Sequence, residues 1–399
     1  MNDTHRLYAG LPDGIVPKVY AETNTAALVR NYKKLTAGFP AGVKPCCVVK
    51  ADAYGHGAKF CVPALAEAGC RFFAVSSPEE ATEVRSLCRG IGIDADILIL
   101  GFSDPANVGT LAENGIIQAC FSADYARELS DAAAGKTLRI HIKLDTGMNR
   151  IGFPTQTEED RARTAEEIRA VSGLPGIRID GIFSHFAKAD EDTAEGRDRT
   201  RLQTERFIKT TELVKAYGID VGTRHICNTA GSMLSDAPYL DACRLGIGLY
   251  GMDPSADFHR DLEPVLRLCA KVAQVHTLHK GESVSYGGDF TAEHEMKLAT
   301  MPIGYADGFI RAYRGAEAVI YSPEGIKKCK AVNVGRICMD QCMFDVTGTD
   351  VRPGDTAVLM GEPGQTDALA ALAGTINYEC TCILSSRVLR ILRDKTNND

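Results

Sequence analysis

The 399-residue sequence contains no apolar run that approaches the roughly 18 residues of a membrane-spanning helix. Its first 14 residues lack the apolar core of a secretory signal peptide. Basic residues are not in excess either, with 45 Lys and Arg against 52 Asp and Glu and a net charge of -7. The sequence also has no long basic run that could neutralise the phosphates of a nucleic acid or of an anionic membrane. We therefore expect a cytoplasmic protein that binds neither nucleic acid nor a membrane.

Cysteine motifs for a metal are also missing, although the chain has 14 cysteines. Cys338 and Cys342 are four residues apart and Cys380 and Cys382 are two apart, and neither spacing matches a CxxC or Cys/His zinc module. Most of the others lie in apolar segments, a pattern typical of reduced, buried thiols. We predict no metal site.

What the sequence does contain, through its first two-thirds, is an alternation of short apolar runs with amphipathic segments. Eight runs are candidate strands: 45–50, 72–76, 97–102, 116–121, 138–144, 177–186, 224–229 and 242–247. The clearest helical segments between them are 57–68, 78–89, 123–134, 158–171 and 197–217. Eight successive β-then-α units predict an α/β fold, a closed (β/α)8 TIM barrel rather than an open sheet.

After Gly251 the composition shifts toward Thr, Val and Ile with recurrent Gly and Asp turns, and only 366–373 has a helical pattern. The sequence therefore predicts a mostly-β C-terminal domain. We divide the chain into an N-terminal segment, 1–22, that packs on this second domain, a barrel over 23–252 and a β domain over 253–399.

The segment Gly246–Gly251 fits the G-x-G-x-x-G dinucleotide pattern. A Rossmann fingerprint opens a helix after the first strand, whereas this segment follows the last barrel strand and runs into Pro254. Loops after strands 7 and 8 of TIM barrels commonly bind phosphate through backbone N–H groups. Gly246 and Ile247 are therefore candidate phosphate donors.

Lys50 ends the first predicted strand, in VVKADAYGHGA. A lysine at a strand end can simply extend its ammonium group to solvent. Catalytic residues of barrels, however, lie at the carboxyl ends of strands, and a partly desolvated amine is nucleophilic. With a phosphate-binding loop and no metal, this lysine suggests pyridoxal phosphate held as a Schiff base.

Eight segments, in order, resemble the alanine racemase family. They are VVKADAYGHGA at 48–58, HIKLDTGMNRIGF at 141–153, GIFSHFAKAD at 181–190, RHICNTAGSM at 224–233, CRLGIGLYG at 243–251, SVSYG at 283–287, PIGYADG at 302–308 and VGRICMDQ at 334–341. The resemblance covers nearly the whole chain. It implies a barrel plus β domain, pyridoxal 5'-phosphate as cofactor, an amino acid substrate and a homodimer with shared active sites.

The resemblance also implies two catalytic bases. Lys50 would bind the cofactor covalently and face the α-hydrogen of the D enantiomer. Tyr286 would act from the opposite face and come from the other subunit. Racemisation requires this arrangement, because the α-proton must leave one face of a planar carbanion and return to the other.

Further roles are implied for residues around the cofactor. Arg244 would face the pyridine nitrogen and, because a guanidinium stays charged, would disfavour its protonation. His185 and His225 would hydrogen-bond around that arginine, and without the resemblance both would be ordinary core histidines. The phosphate would be held by Tyr54, Thr229, Gly246, Ile247 and Ser386.

Substrate contacts follow from the same resemblance. Arg150 would help hold the cofactor's phenolic oxygen and the substrate carboxylate. Met339 of the partner would contact that carboxylate through its backbone, and Tyr305 of the partner would narrow the entry channel. Lys143 corresponds to a lysine that is carbamylated in many family members.

Two positions depart from the family pattern. Asn149 replaces the glycine that precedes the arginine in the usual GMGR, and we expect this change to alter the loop that carries Arg150. Ser386 replaces a tyrosine that reaches the phosphate and lines the substrate pocket. The main prediction is an alanine racemase activity, with a serine or broad-specificity racemase as the alternative. A barrel-type decarboxylase should carry a cysteine-aspartate-glycine motif that is missing here, and single-domain cofactor carriers lack a β domain.

Overall fold

The computed structural model describes residues 15–255, 258 and 261–393. Most of the predicted N-terminal segment, 1–14, and the end of the predicted β domain, 394–399, lie outside these residues. The strands, numbered along the described chain, are β1 (Val19–Thr23), β2 (Lys44–Val48), β3 (Phe72–Val75), β4 (Asp96–Ile99), β5 (Ile117–Cys120), β6 (Leu138–Asp145), β7 (Phe153–Pro154), β8 (Ile177–Phe183), β9 (Thr223–His225), β10 (Ala242–Leu245), β11 (Leu266–Lys271), β12 (Gln274–Leu278), β13 (Ser283–Val284), β14 (Phe290–Thr291), β15 (Met296–Met301), β16 (Glu317–Tyr321), β17 (Lys327–Val334), β18 (Cys342–Asp345), β19 (Thr356–Met360) and β20 (Leu389–Leu392).

Eight of these strands form a closed parallel barrel, so the predicted (β/α)8 fold is confirmed. The hydrogen-bonded order runs β5-β4-β3-β2-β10-β9-β8-β6, and a further pairing between β5 and β6 closes the ring. Every pairing in the ring is parallel. In a barrel of this kind the loops at the carboxyl ends of the strands build the active site.

Helices alternate with the barrel strands, and five of them begin at a side-chain cap, at Ser77, Ser122, Thr157, Thr193 and Asn228. The helices are Thr25–Thr36, Ala58–Glu67, Pro78–Gly90, Val108–Glu113, Ala123–Ala132, Glu158–Ser172, Ala194–Ala216 and Thr229–Met233. Thr157 and Asp160 form a reciprocal capping box before the sixth of these. The predicted run 224–229 stops being a strand at His225, because the Asn228 side chain accepts the Gly231 N–H and starts the helix at Thr229.

The second sheet has nine strands in the order β12-β15-β18-β17-β16-β19-β11-β1-β20. β1 pairs antiparallel with β11 and parallel with β20, so residues 19–23 are part of this sheet. Its core includes the fully buried side chains of Leu268, Ile320, Phe344 and Leu359. Burial of such residues is the main stabilising term for the sheet.

The expectation of a single helix in the β domain is wrong. Besides Gln365–Ala373, the structure has a helix at Asn377–Cys382. It spans six residues, less than two turns, and is therefore too short to produce a clear apolar periodicity in the sequence.

The chain divides into two compact units. One comprises Leu28–Ala53 and Cys61–Leu262, and contains the barrel. Among the described residues, the other comprises 15–27, the segment Tyr54–Phe60 and 263–393. No helix within the described ranges is long and apolar enough to span a bilayer.

Candidate active site

Lys50 lies two residues after the last residue of β2, at the carboxyl end of the first barrel strand. The next four residues, Ala51 to Tyr54, all have φ between 51° and 54°, the left-handed region. This conformation costs about 1–2 kcal/mol for each L-residue. Within the turn, the Ala53 N–H donates to Val49 O at 3.0 Å. Interactions with neighbouring elements must therefore stabilise the backbone that presents Lys50.

Glu80 provides one such interaction. Its Oε1 accepts the Ala51 N–H at 2.6 Å, and its Oε2 accepts the Ser76 N–H and hydroxyl at 2.8 and 2.9 Å. Glu80 lies in the first turn of the helix Pro78–Gly90, which Ser77 caps. Sequence reasoning missed Glu80, because a carboxylate in a first helical turn is the ordinary pattern.

Arg244 occupies the interior of the barrel on β10, with 3% of its surface exposed. Its guanidinium donates to His225 Nδ1 at 2.7 Å and to His185 Nδ1 at 3.1 Å. It also donates to the carbonyl oxygens of Ser184 and Ile226 at 2.7 and 3.0 Å. Burial lowers the pKa of this guanidinium. The predicted grouping of Arg244 with the two histidines is present.

The arginine also determines the tautomers of the histidines beside it. Because Arg244 can only donate, His225 Nδ1 must accept, and the proton of neutral His225 lies on Nε2. That Nε2–H donates to His141 Nδ1 at 2.9 Å, so His141 carries its own proton on Nε2. Burial lowers the pKa of His141 to about 3 and, together with Arg244, also lowers the pKa of His225.

His141 belongs to the HIKLDTG segment, but the sequence alone assigned it no role. The His141 ring leaves no room for a side chain at position 181, because a Cβ added to Gly181 would lie 2.5 Å from the imidazole. Close approach of this kind is available only to glycine. His141 therefore completes a hydrogen-bonded chain from Arg244 through His225.

Lys143 lies on β6 with 4% of its surface exposed. Its Nζ donates to Leu144 O at 2.7 Å and lies 5.4 Å from the Phe183 ring centroid. The guanidinium carbon of Arg244 lies 5.5 Å from the same centroid. Burial, followed by the charge of Arg244, lowers the pKa of Lys143 to about 7. A neutral amine is the form that can react with carbon dioxide.

The loop after β6 is organised by Asp145. One carboxylate oxygen, Oδ1, accepts the N–H groups of Gly147, Met148 and Asn149 at 2.9 to 3.0 Å. Asn149 has φ 56°, a left-handed conformation that asparagine tolerates better than most residues. The departure from glycine at 149 therefore preserves the backbone of the loop that carries Arg150.

The glycine-rich segment folds as a short 3-10 turn, Ile247–Tyr250, and does not open an α-helix there. The Gly246 N–H donates to Thr229 Oγ1 at 2.8 Å, which leaves the hydroxyl proton of Thr229 outside that bond. Gly248 packs so closely that an added Cβ would lie 2.8 Å from Thr229 Cγ2. Thr229, Gly246 and Ile247 are therefore adjacent, at the ends of the last two barrel strands.

The remaining predicted residues belong to the other unit. The Tyr54 ring is buried and packs against that of Tyr378 at 6.1 Å between centroids. Burial raises the pKa of Tyr54. Ser386 is exposed in a turn that follows the helix Asn377–Cys382.

Three predicted residues form an exposed face of that unit. Tyr286, Met339 and Tyr305 are 72%, 53% and 40% exposed. Their loops are joined by hydrogen bonds around Cys338, whose carbonyl accepts the Tyr305 N–H at 3.1 Å. We call Tyr286, Tyr305 and Met339 the exposed tyrosine face.

Ser285, directly before Tyr286, is strained. Its φ of 67° and ψ of -179° lie in a region that is essentially restricted to glycine. Its hydroxyl donates to Arg336 O at 2.7 Å and lies 3.4 Å from Cys338 Sγ. These contacts hold the backbone that projects Tyr286, and no residue pattern in the sequence indicates the strain.

A closed parallel barrel with a strand-end lysine and a buried arginine-histidine centre, in a chain that continues into a β domain, defines the class of two-domain TIM-barrel enzymes. Comparison with known proteins identifies the family. Residues 23–254 match the alanine racemase N-terminal domain, and residues 265–392 match the alanine racemase C-terminal domain. The chain belongs to the alanine racemase family.

Individual relatives agree along nearly their whole length. An alanine racemase of Clostridium tetani is 40% identical over 389 residues, which cover 94% of this chain and 96% of that protein. Alanine racemase 1 of Clostridium acetobutylicum is 42% identical over 354 residues, covering 86% and 87%.

Solved structures give the same result. The alanine racemase of Clostridium difficile 630 superposes with a TM-score of 0.86 at 32% identity, covering 96% of this chain and 97% of that one. The alanine racemase of Bacillus anthracis with bound L-Ala-P has a TM-score of 0.86 at 30% identity, covering 97% of each chain.

Proposed function

We propose that this chain is a pyridoxal-phosphate-dependent isomerase that interconverts L-alanine and D-alanine. Its family membership supports the reaction, and the alanine racemase names of its relatives favour alanine over serine or broad specificity. The observation that carries the proposal is the position of Lys50 at a barrel strand end in the same unit as a buried Arg244 held by two histidines.

The side chains of the barrel unit suit pyridoxal phosphate. Lys50 offers a primary amine for an aldehyde, and Thr229 offers a hydroxyl next to the backbone of Gly246 and Ile247 for a phosphate. Arg244 offers a cationic N–H donor to the pyridine nitrogen of the cofactor. The partner of this nitrogen in pyridoxal-phosphate enzymes is an aspartate or an arginine. When bound, the cofactor supplies an electron sink that acidifies the α-hydrogen of the amino acid.

The reaction then needs two bases on opposite faces of the substrate. We assign proton transfer on one face to Lys50 Nζ and on the other to the Tyr286 hydroxyl. Arg244 is locked by carbonyl and imidazole acceptors, so it stays cationic and does not give its proton to the ring nitrogen. Limiting the electron sink in this way suppresses side reactions such as transamination.

Substrate binding is assigned to Arg150, whose charge attracts the carboxylate, with help from the backbone of Met339. The loop that carries Arg150 is held by Asp145. Tyr305 would narrow the entrance, and Tyr54 and Ser386 would complete the phosphate site. Lys143, with its lowered pKa, is suited to carbamylation beside Arg150.

The exposed tyrosine face supports a homodimer as the functional assembly. Large side chains exposed as a group indicate an interaction surface. We assign that surface to a second copy of the chain, in which Tyr286, Tyr305 and Met339 complete the active site of the other subunit. All 14 cysteines are unpaired as thiols, which suits the reducing cytoplasm.

The test combines two measurements on the full-length protein with added cofactor. Chiral analysis after incubation with L-alanine, L-serine and L-lysine in separate reactions should show racemised alanine as the main product. Borohydride reduction and peptide mapping should place the phosphopyridoxyl group on Lys50. No racemised alanine, or a label on another lysine, would reject the proposal.

A further inference from the structure

We infer that Glu80 is a positioning residue for Lys50 and acts through the backbone amide of Ala51. The inference rests on the proposed role of Lys50 as the cofactor lysine. Glu80 has no part in the proposed proton transfers, yet both of its carboxylate oxygens are directed at the end of the lysine-bearing strand and of its neighbour.

The geometry ties two strand ends together. β2 and β3 are adjacent parallel strands, with Cys47 opposite Phe73 and Val48 opposite Ala74. Lys50 and Ser76 therefore follow neighbouring strands at the same edge. Glu80 holds the first amide after Lys50 with one oxygen and the amide and hydroxyl of Ser76 with the other.

The Ala51 amide matters because it shares a peptide plane with the Lys50 carbonyl. Its direction sets ψ of Lys50 and φ of Ala51, and these angles decide where the lysine side chain leaves the backbone. The following turn is left-handed at four successive residues, none of them glycine. Local preference opposes that conformation. A carboxylate is a stronger acceptor than a neutral group and holds the amide in place.

Loss of this contact should affect chemistry more than substrate binding. A displacement of about 1 Å in a reacting group can lower a rate roughly 100-fold. We assign the substrate carboxylate to Arg150 and to the Met339 backbone, whereas the hydrogen bonds of Glu80 go to Ala51 and Ser76. We therefore expect kcat to fall while KM for alanine stays close to the wild-type value.

The experiment compares Glu80→Ala, Glu80→Gln and the control Glu79→Gln, which changes an exposed glutamate in the same helical turn. Three quantities are measured on the full chain. They are hydrogen exchange of residues 50–54 without cofactor, the rate at which added pyridoxal phosphate becomes borohydride-trappable on Lys50, and kcat with KM for alanine.

In Glu80→Ala the amide hydrogens of residues 50–54 should exchange faster than in wild type. The cofactor should attach to Lys50 at least about tenfold more slowly, and kcat should fall roughly 10- to 100-fold. Glu80→Gln keeps an oxygen acceptor and should recover much of the loss, and Glu79→Gln should match wild type. A merely structural role would lower stability without a selective change in attachment rate.

Wild-type attachment and kcat in folded Glu80→Ala would overturn the inference. If that variant does not fold, Glu80→Asp, which withdraws the carboxylate from the Ala51 amide by one methylene, takes its place, and wild-type exchange over 50–54 with wild-type attachment and kcat in Glu80→Asp would overturn the inference. A cofactor label on a lysine other than Lys50 in the wild type would reject the proposed function itself, whereas a label on Lys50 with normal Glu80 variants rejects only the role of Glu80.

Discussion

Replacing Lys143 by methionine should remove a pH dependence from the stability of the protein. Burial lowers the pKa of Lys143 to about 7 in the folded chain. In the unfolded chain a lysine titrates near 10.4. Between these two values the unfolded state binds one more proton than the folded state, so the free energy of unfolding rises with pH. The penalty is complete below pH 7 and vanishes above about pH 10.4.

The expected slope is about 1.4 kcal/mol per pH unit, or roughly 2–3 kcal/mol between pH 7.5 and 9.5. Methionine keeps the shape of the side chain without an amine, so Lys143→Met should lack this slope. Urea unfolding at fixed protein and cofactor concentration measures it. Lys209→Met, at an exposed lysine paired with Glu205, is the matched control and should retain the wild-type slope.

Bicarbonate provides an independent check. A carbamylated Lys143 has no amine to protonate, so wild type saturated with bicarbonate should approach the pH profile of Lys143→Met. In buffers free of carbon dioxide the two profiles must diverge. Parallel unfolding profiles of wild type and Lys143→Met from pH 7 to 10 in those buffers would show that the pKa of Lys143 is not lowered by folding.

Other substitutions test separate parts of the site. Asn149→Ala should lower the free energy of unfolding by about 1–2 kcal/mol, because alanine resists the left-handed conformation, whereas Asn149→Gly should stay near wild type in urea unfolding and in KM. His141→Leu should cost about 1–3 kcal/mol in the same assay, since His225 Nε2–H loses its acceptor, and His141→Gln should recover part of it. Ser386→Tyr should lower the serine-to-alanine ratio of kcat/KM by roughly 10- to 100-fold, and an unchanged ratio in a folded, cofactor-loaded variant would remove Ser386 as a specificity determinant.

The barrel was predictable because its signal is repeated. Eight apolar runs alternating with amphipathic segments leave few other folds, and the observed strands lie within or close to the predicted runs. Boundaries were less predictable where a side chain decides them. The predicted strand 224–229 ends early because Asn228 caps the helix that begins at Thr229. The pattern of apolar residues does not show that a helix replaces the strand there.

The site was predictable where chemistry is carried by a residue in a distinctive segment, as for Lys50 and Arg244. The residues that hold Lys50 and Arg244 in position were not predictable from the sequence. Ala51 and its neighbours have ordinary side chains, so nothing in the sequence marks four left-handed residues. His141 is hydrogen-bonded to His225, which is 84 positions away in the sequence, and Glu80 to Ala51, which is 29 positions away. Such contacts form only when the barrel strands are assembled.

Asn149 illustrates the reverse case. From the sequence, a missing glycine before Arg150 suggested an altered loop. The structure instead shows asparagine in the conformation that glycine would adopt, with its side chain accepting from Gln156 Nε2 at 2.8 Å. Backbone dihedrals, rather than residue identity, decide whether such a departure matters.

Subunit mixing shows whether the two bases of one active site come from different subunits. Lys50→Ala and Tyr286→Phe should each be nearly inactive as homodimers. When the two are unfolded and refolded together, a mixed dimer has one site with both changes and one site with neither. Activity should return to roughly a quarter of wild type, because half of randomly assembled dimers are mixed and each keeps one of two sites. No recovery in a preparation shown to contain mixed dimers would place both bases in one subunit and contradict the account.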